Sequence, residues 1–228
     1  MDLGVWSYFD FSASSLKKLK SHATQTLPPN SSYVTTDDAL TAFVWQSIAK
    51  ARLARSHNTA KMQFARAVDL RRYLNIPGTH PGIVQSMTYH SFSMEQAAHS
   101  PLGALAASLR AALNPETSNL AYHGRSLATL ISRTPDKTSI SFLAGLDPTR
   151  DVMLSSWANQ NSYQLDFGLG LGLPLAVRRP RFDSLPGLVY FTPKTLDGDI
   201  GVAICLSSDE IEALTTDDEF LKHAKHIG

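Results

Sequence analysis

Eight histidines are the first place to look for acid–base chemistry in these 228 residues: His22, His57, His80, His90, His99, His123, His223 and His226. Imidazole titrates close to neutrality, so any of them could move a proton if a substrate reached it. His90 follows an extended run and His123 sits in Tyr-His-Gly-Arg; these two are the candidates for a catalytic base of the chain's own. Against each stands a plainer role, as a satisfied core or surface group. Nucleophiles are scarcer. Ser155 and Ser156 offer hydroxyls, but a serine needs a base beside it, and sequence alone supplies none. No G-x-S-x-G elbow, H-E-x-x-H pair or Cys/His metal spacing occurs. The single cysteine, Cys205, is flanked by Ala203-Ile204 and Leu206, which suits a buried strand position better than a nucleophile.

The most unusual stretch runs from Asn161 to Pro174. Gly168, Gly170 and Gly172 alternate with Phe167, Leu169, Leu171 and Leu173. Period-two alternation suggests an extended segment with glycine along one face, open to close approach by a backbone or a ligand. A tight loop with Asp166 as its cap is the other reading. Asp166 follows apolar Leu165, where burial would require a partner for its charge. The run is no phosphate loop: Lys-Ser/Thr does not follow it, and Pro174 stands where a helix would begin.

Asp166-Phe167-Gly168-Leu169-Gly170 resembles the D-F-G-W-G motif of the BAHD superfamily of acyl-CoA-dependent acyltransferases, with Leu169 in the Trp position. Ser155-Ser156-Trp157-Ala158-Asn159, Val177-Arg178-Arg179-Pro180, Pro193-Lys194 and Asp197-Gly198 look like the fungal branch, close to trichothecene O-acetyltransferases. Thr35-Thr36-Asp37-Asp38-Ala39-Leu40 resembles the family's Ser/Thr-x-Asp-Ala-Leu segment, and Asp69-Leu70-Arg71 its V-D-x-R region. His80 to Gln85 occupies the place of the family's Y-F-G-N motif and keeps only Gly82 in kind.

The resemblance implies a C-terminal half, a chloramphenicol-acetyltransferase-like domain, with acyl-CoA as co-substrate and a small-molecule alcohol as acceptor. The family's catalytic H-x-x-x-D belongs to the other half, and none of the eight histidines completes it here. That His is the general base for the acceptor hydroxyl. By the same resemblance, Thr35 and Thr36 lie near the thioester channel, although simple helix capping accounts for them too. Arg178, Arg179 and Lys194 are candidate phosphate contacts, since guanidinium matches phosphate with two hydrogen bonds. Asp166 is expected buried and paired with an arginine, Arg71 before Arg72, with Phe167, Gly168 and Gly170 completing a structural motif. No bound cofactor is expected. The chain would pair with an H-x-x-x-D half or self-associate, and be inactive alone in CoA-dependent transfer. The alternative is a stand-alone half-length relative acting as a cyclase, an isomerase or a non-catalytic binding protein.

Around these residues the pattern is mixed α/β. Val5 to Phe11 is extended; Ser12 to Ser15 cap a helix carrying Leu16, Leu19 and Ala23. Thr35 or Thr36 caps the strongest helix, with Asp37 and Asp38 in its first turn and Leu40, Phe43, Val44, Ile48 and Ala51 at helical spacing. Strands are expected over 62–68, 84–89, 140–143, 152–157, 188–191 and 200–206. Ser93-x-x-Gln96, Ser207-x-x-Glu210 and Thr216-x-x-Glu219 read as capping boxes, the last two opening a helix pair down to Ile227. Ser100-Pro101 opens a helix striped by Leu102, Leu105 and Leu109, and another helix over 118–133 should turn Leu120, Leu127, Leu130 and Ile131 inward.

No linker divides the chain, so residues 1–228 are expected to form one α/β (α+β) domain, a mixed sheet with helices mainly on one face. A formal charge of +1 argues against general attraction to nucleic acid. No apolar run approaches the ~20 residues of a membrane span, and no secretory signal opens the chain. With its one cysteine, the composition points to a soluble, cytoplasmic protein.

Overall fold

The computed structural model describes residues 4–55, 61–141, 145–180 and 183–228. Its frame is a seven-stranded mixed sheet, built from β1 (Val5–Phe11), β2 (Lys61–Asp69), β3 (Gln85–Ser93), β4 (Val152–Ser156), β5 (Leu188–Phe191), β6 (Ile200–Leu206) and β7 (Lys225–His226). The strand order is β3-β2-β4-β5-β6-β1-β7. Only β2–β4 and β4–β5 pair in parallel; the remaining neighbours are antiparallel.

The helices are α1 (Ala13–Gln25), α2 (Thr36–Arg55), α3 (Arg71–Leu74), α4 (Met94–His99), α5 (Leu102–Ala111), α6 (Leu120–Arg133), α7 (Ser208–Thr216) and α8 (Asp218–Leu221). Side chains alternate across a strand. Phe9, Phe64, Leu154, Phe191 and Val202 therefore share one face, in a single cluster with residues of α1, α2, α4, α5, α7 and α8. Trp45 of α2 stacks on Phe64 at 4.8 Å. At the far end of β2, Val68, Leu70, Tyr73 and Leu120 form a second, smaller cluster under α6.

Polar contacts fix how the helices sit. Ser93 and Gln96 form the expected capping box on α4, and Ser207 and Glu210 the one on α7. Glu210 is buried and pairs with Arg52 at 3.1 Å and Arg55 at 3.2 Å, joining the end of α2 to the start of α7. Where α5 crosses the end of α1, a Cβ on Gly103 would lie 2.3 Å from the Ala23 carbonyl oxygen, so only glycine lets these helices meet.

Several expectations give way. Asp217, not Thr216, caps α8, accepting from the Glu219 and Phe220 N–H groups. The chain leaves the helix at Leu221, and β7 pairs with β1 where a helical turn was expected. On α6 only Leu120 and Gly124 are buried, and Leu130 faces solvent, because no element among the described residues covers that side of the helix. Residues 140–141 are not strand, and the rest of the expected 140–143 strand lies outside the described residues. Residues 165–173 form no strand: Gly168, Gly170 and Gly172 have φ of 68°, 70° and 73°, the left-handed region, so the run coils.

Candidate functional site

The start of α2 is built around a buried carboxylate. Asp38 sits on the same stripe as Thr41, Trp45 and Ile48, which carries it into the interior with no exposure at all. Its Oδ2 accepts from the Thr35 N–H at 2.8 Å and the Thr35 hydroxyl at 2.7 Å. Thr35 Oγ1 in turn accepts from the Asp38 N–H, so cap and first turn hold each other. Two guanidinium groups complete the shell. Arg66, inward on β2, donates Nη1 to Asp38 Oδ1 at 2.9 Å. Arg110, from α5, donates Nε to Oδ2 at 2.8 Å and also reaches it through Nη2. Arg66 Nη2 pairs with Asp37, whose other oxygen accepts from the Ser156 hydroxyl at 2.5 Å.

Burial alone would raise the Asp38 carboxyl, but Arg66 and the donors from Thr35 and Arg110 outweigh it and hold the pKa below the ordinary value. Burial would likewise lower Arg66, but Asp37 and Asp38 prevail and raise it. Two carboxylates against two guanidinium groups leave no net charge in the cluster, as burial requires.

Two cavities flank this cluster. One of about 650 Å³ is lined by Ser31, Ser32, Tyr33, Arg72, Arg110 and Asn114, among others. Arg110 lies 5.3 Å over the Tyr33 ring, so the same side chain braces Asp38 and one aromatic wall. The other, of about 500 Å³, is lined among others by Asp37, Arg66, Arg71, Arg72, Ser156 and Asn159, at the C-terminal ends of the parallel strands β2 and β4. Arg72 borders both. Its Nη2 donates to the Leu113 carbonyl at 3.2 Å. Hydroxyls, an exposed tyrosine ring and the Arg72 cation in one concavity suit a ligand carrying both phosphate and an aromatic base. Among the described residues no group of three or more His, Cys, Asp or Glu is placed to hold a metal ion.

Of the residues singled out from sequence, Thr35 and Thr36 stand at this site, at the mouth of α2. Lys194 lies beyond Asn159, in a separate hollow of about 240 Å³. Arg178 and Arg179 lie elsewhere. The Arg179 guanidinium is held between Trp6, at 4.0 Å, and Tyr190, at 3.9 Å, on the sheet face away from α2. That face bears a cavity of about 490 Å³, which Arg178 also lines.

Asp166 corrects the expectation of a buried pair. It is exposed, and its Oδ1 accepts from the Gly168 N–H at 2.8 Å, the local turn that a short acidic side chain makes with its own backbone. Arg71 pairs instead with Asp69 at 3.0 Å and donates to the carbonyl oxygens of His80 and Gly82. It thereby fastens the 80–82 loop to the end of β2. Phe167, Gly168 and Gly170 are exposed with Asp166.

His90 is enclosed. Its ring nitrogens lie 3.3 Å from Ser108 Oγ and 3.2 Å from Thr88 Oγ1, and its ring packs near Trp45 and Phe64. Burial, with the Arg66 charge second, lowers its pKa to about 4, so it stays neutral near pH 7. His123 is exposed on α6. Cys205 is buried, and burial pushes its thiol up to about 11, as for an inert group.

Sequence reasoning missed Asp38 as a site residue, along with Arg66, Arg110 and Tyr33. A signal for the first two was present. Asp38 falls on an apolar helix stripe, and Arg66 alternates in phase with Phe64 and Val68 on β2. Arg110 and Tyr33 arrive from distant parts of the chain and carry no such mark.

Comparison with known proteins agrees with the motif resemblance. The Transferase family model matches residues 5–221. The O-acetyltransferase dmxR13 of Cryptosporiopsis sp. is 46% identical over 224 residues, covering 98% of this chain and 49% of its own length. The trichothecene 3-O-acetyltransferase TRI101 of Fusarium sporotrichioides is 44% identical, with 98% of this chain and 48% of the relative covered. The chain thus spans about half the length of the curated relatives it matches. A crystal structure of the F. sporotrichioides protein with coenzyme A and T-2 superposes with a TM-score of 0.94 at 43% identity, over 100% of this chain and 52% of that one. Vinorine synthase shares the fold at 18% identity, with a TM-score of 0.73 over 99% of this chain and 49% of its own. The chain belongs to the Transferase family, the BAHD acyltransferases that Asp166 to Gly170 resembles.

Proposed function

We propose that residues 1–228 form one domain, the C-terminal half of an acyl-CoA-dependent O-acyltransferase that esterifies a hydroxyl of a small secondary metabolite in the cytoplasm. The observation that carries this is the cavity of about 650 Å³ beside Thr35 and Thr36, where Ser31, Ser32, Tyr33, Arg72 and Arg110 converge. Coenzyme A asks for a cation toward its phosphates and an aromatic face toward its adenine, and Arg72 and Tyr33 offer these there. The coenzyme A bound to the F. sporotrichioides relative supports the same reading. Among the described residues no helix is long and apolar enough to cross a membrane.

In this reading the acceptor hydroxyl oxygen attacks the thioester carbonyl. The C–O bond forms, the C–S bond breaks, and CoA leaves as thiolate. The base that takes the hydroxyl proton and returns it to sulfur is the His of an H-x-x-x-D half. This chain's part is to bind and orient the thioester: Tyr33 and Arg72 at the cavity wall, with Asp38, Arg66 and Arg110 fixing the start of α2 that carries Thr35 and Thr36. A base role for His90 has nothing in its favour, since hydroxyls occupy both ring nitrogens.

The test is acetyl transfer from acetyl-CoA to a trichothecene alcohol, followed by mass spectrometry. The chain is assayed alone and with the portion of the F. sporotrichioides enzyme that lies outside its match. Alone it should be slower by at least the ~10²–10⁴-fold that a general base contributes. Tyr33→Ala and Arg72→Ala should each raise the KM for acetyl-CoA about tenfold in the mixture, the equivalent of one lost binding contact, while the chain stays folded at the assay temperature. Equal turnover by the chain alone, or a KM indifferent to both substitutions, would overturn the assignment.

A further inference from the structure

The cap of α2 closes without Asp37. Thr35 and Asp38 bond each other across the first turn, and Asp38 takes the buried place. Asp37 stands one residue earlier, its side chain 17% exposed, and lines the cavity of about 500 Å³. There it holds groups from two other elements. Its Oδ2 pairs with Arg66 of β2, and its Oδ1 lies 2.5 Å from the hydroxyl of Ser156, the last residue of β4.

The direction of the second bond is fixed by its chemistry. An ionised carboxylate only accepts, so the Ser156 hydroxyl donates, and 2.5 Å suits such a charge-assisted pair. With its proton committed, Ser156 Oγ is left as an acceptor, and the Ala158 N–H reaches it at 3.4 Å. The Trp157 N–H bonds the Phe191 carbonyl at 2.9 Å, and the Gln160 N–H closes a turn on the Trp157 carbonyl, also at 2.9 Å. Within that turn lies Asn159, which lines the same cavity as Asp37. Asp37 thus reaches Asn159 through Ser156.

On its other side Asp37 ends a row of alternating charge. Arg66 donates to Asp38, Asp38 accepts from Arg110, and Arg110 lies over Tyr33 in the wall of the cavity of about 650 Å³. One neutral row therefore runs from cavity to cavity and fixes a wall of each against the other. Without Asp37 it would stop at Arg66, and β4 would lose its tie to α2 through Ser156.

We infer that Asp37 is a positioning residue for acyl transfer: it sets the end of β4, with Ser156 and Asn159, against the start of α2, aligning an acceptor cavity with the donor cavity. This role rests on reading the larger cavity as the coenzyme A site. The smaller one, across the first turn of α2, then takes the alcohol, whose hydroxyls the Asn159 amide and Ser156 Oγ can meet. Asp37 takes no proton in this role, since both its oxygens are engaged. Alignment is where it acts, and a misplacement of about 1 Å can cost on the order of 10²-fold in rate.

The experiment is acetyl transfer by the full chain mixed with the portion of the F. sporotrichioides enzyme outside its match. Rates are divided by the coenzyme A sites counted by calorimetry, so that unfolded protein is not read as slow protein. Asp37→Asn puts an amide N–H against the Arg66 donor; Ser156→Ala keeps every ion pair and removes only the tie to β4. Each should lower kcat at least about tenfold while the KM for acetyl-CoA stays within about twofold. The double variant should fall no more than about twofold below the slower single one, because both changes break one linkage. Unchanged kcat, a loss carried by KM instead, or two losses that simply multiply would each overturn the role of Asp37 while leaving the acyltransferase reading in place. An idle wild-type mixture that binds no coenzyme A would remove that reading, and this role with it.

Discussion

Asp38 and Asp166 each open a glycine-poor or glycine-rich stretch that the family resemblance marks, yet the fold treats them in opposite ways. Asp38 lies on an inward helix stripe and is met by Thr35, Arg66 and Arg110, from three separate parts of the chain. Asp166 stands on an uncovered loop and is met by one N–H two residues away. The contrast separates two kinds of region. One is complete within this chain, its charges balanced and its apolar neighbours buried. The other displays six large apolar side chains to water and draws no long-range partner for its carboxylate from the described residues. A motif residue becomes structural only when the elements that should surround it are present.

Removing the Asp38 charge should give the largest effect. Asp38→Asn leaves two buried guanidinium groups short of a counter-charge, and breaking a buried pair from one side costs about 3–5 kcal/mol. Urea denaturation at pH 7 measures it. The pH dependence follows in sign from the lowered Asp38 pKa. Its contribution is present above the ordinary carboxylate pKa and is lost as pH falls through the depressed value, because protons then bind the unfolded chain more readily. The variant should lose that share of the acid sensitivity. A change below about 1 kcal/mol would place the cluster's worth elsewhere and undo the contrast with Asp166.

His90 supplies a second probe of the closed region. Its folded pKa of about 4 lies below the 6.5 of a free imidazole, so between those values the unfolded chain binds a proton that the folded chain refuses. Stability should therefore fall as pH drops from about 6.5 to about 4, by about 3 kcal/mol from this group. The facing charged group is Arg66, which adds to burial in the same direction. His90→Gln should flatten that part of the profile, read as the difference between wild-type and variant denaturation midpoints from pH 4 to 7. Identical slopes would mean that water reaches the ring.

What was legible in the sequence follows the range of the forces involved. The cap at Thr35 and the boxes at Ser93–Gln96 and Ser207–Glu210 are satisfied within one helical turn, and each forms where its residues predict. The runs that became β2 and β6 also declared themselves, by apolar alternation or near-continuous burial. The Leu-Gly alternation at 165–173 shows the limit of this reasoning. Period two describes a segment able to be a strand, but a strand needs a neighbour to bond, and the run found none here. At the site, Thr35 and Thr36 were visible because capping is local. Tyr33, Arg72 and Arg110 meet only after α5 has packed on α2, which no window of sequence contains. Arg178 and Arg179 were chosen for nearness to the glycines along the chain, and Arg179 proved to be stacked on the opposite sheet face.

The smallest expected effect belongs to Asp166→Asn. In the chain alone the side chain is exposed, and its one bond, from the Gly168 N–H, is to an oxygen that asparagine retains. Exposed substitutions away from caps and buried partners usually stay within about 0.5 kcal/mol. Thermal and urea unfolding should therefore not distinguish the variant from wild type, where Asp38→Asn, an identical chemical change, costs several kcal/mol. Equality of the two substitutions would erase the distinction between the closed and the open region. A loss above about 1 kcal/mol at Asp166 would be more specific, because no exposed turn supplies it. It would mean that in solution the 165–175 segment already lies against this chain and gives Asp166 a charged partner, as the family resemblance first suggested with Arg71.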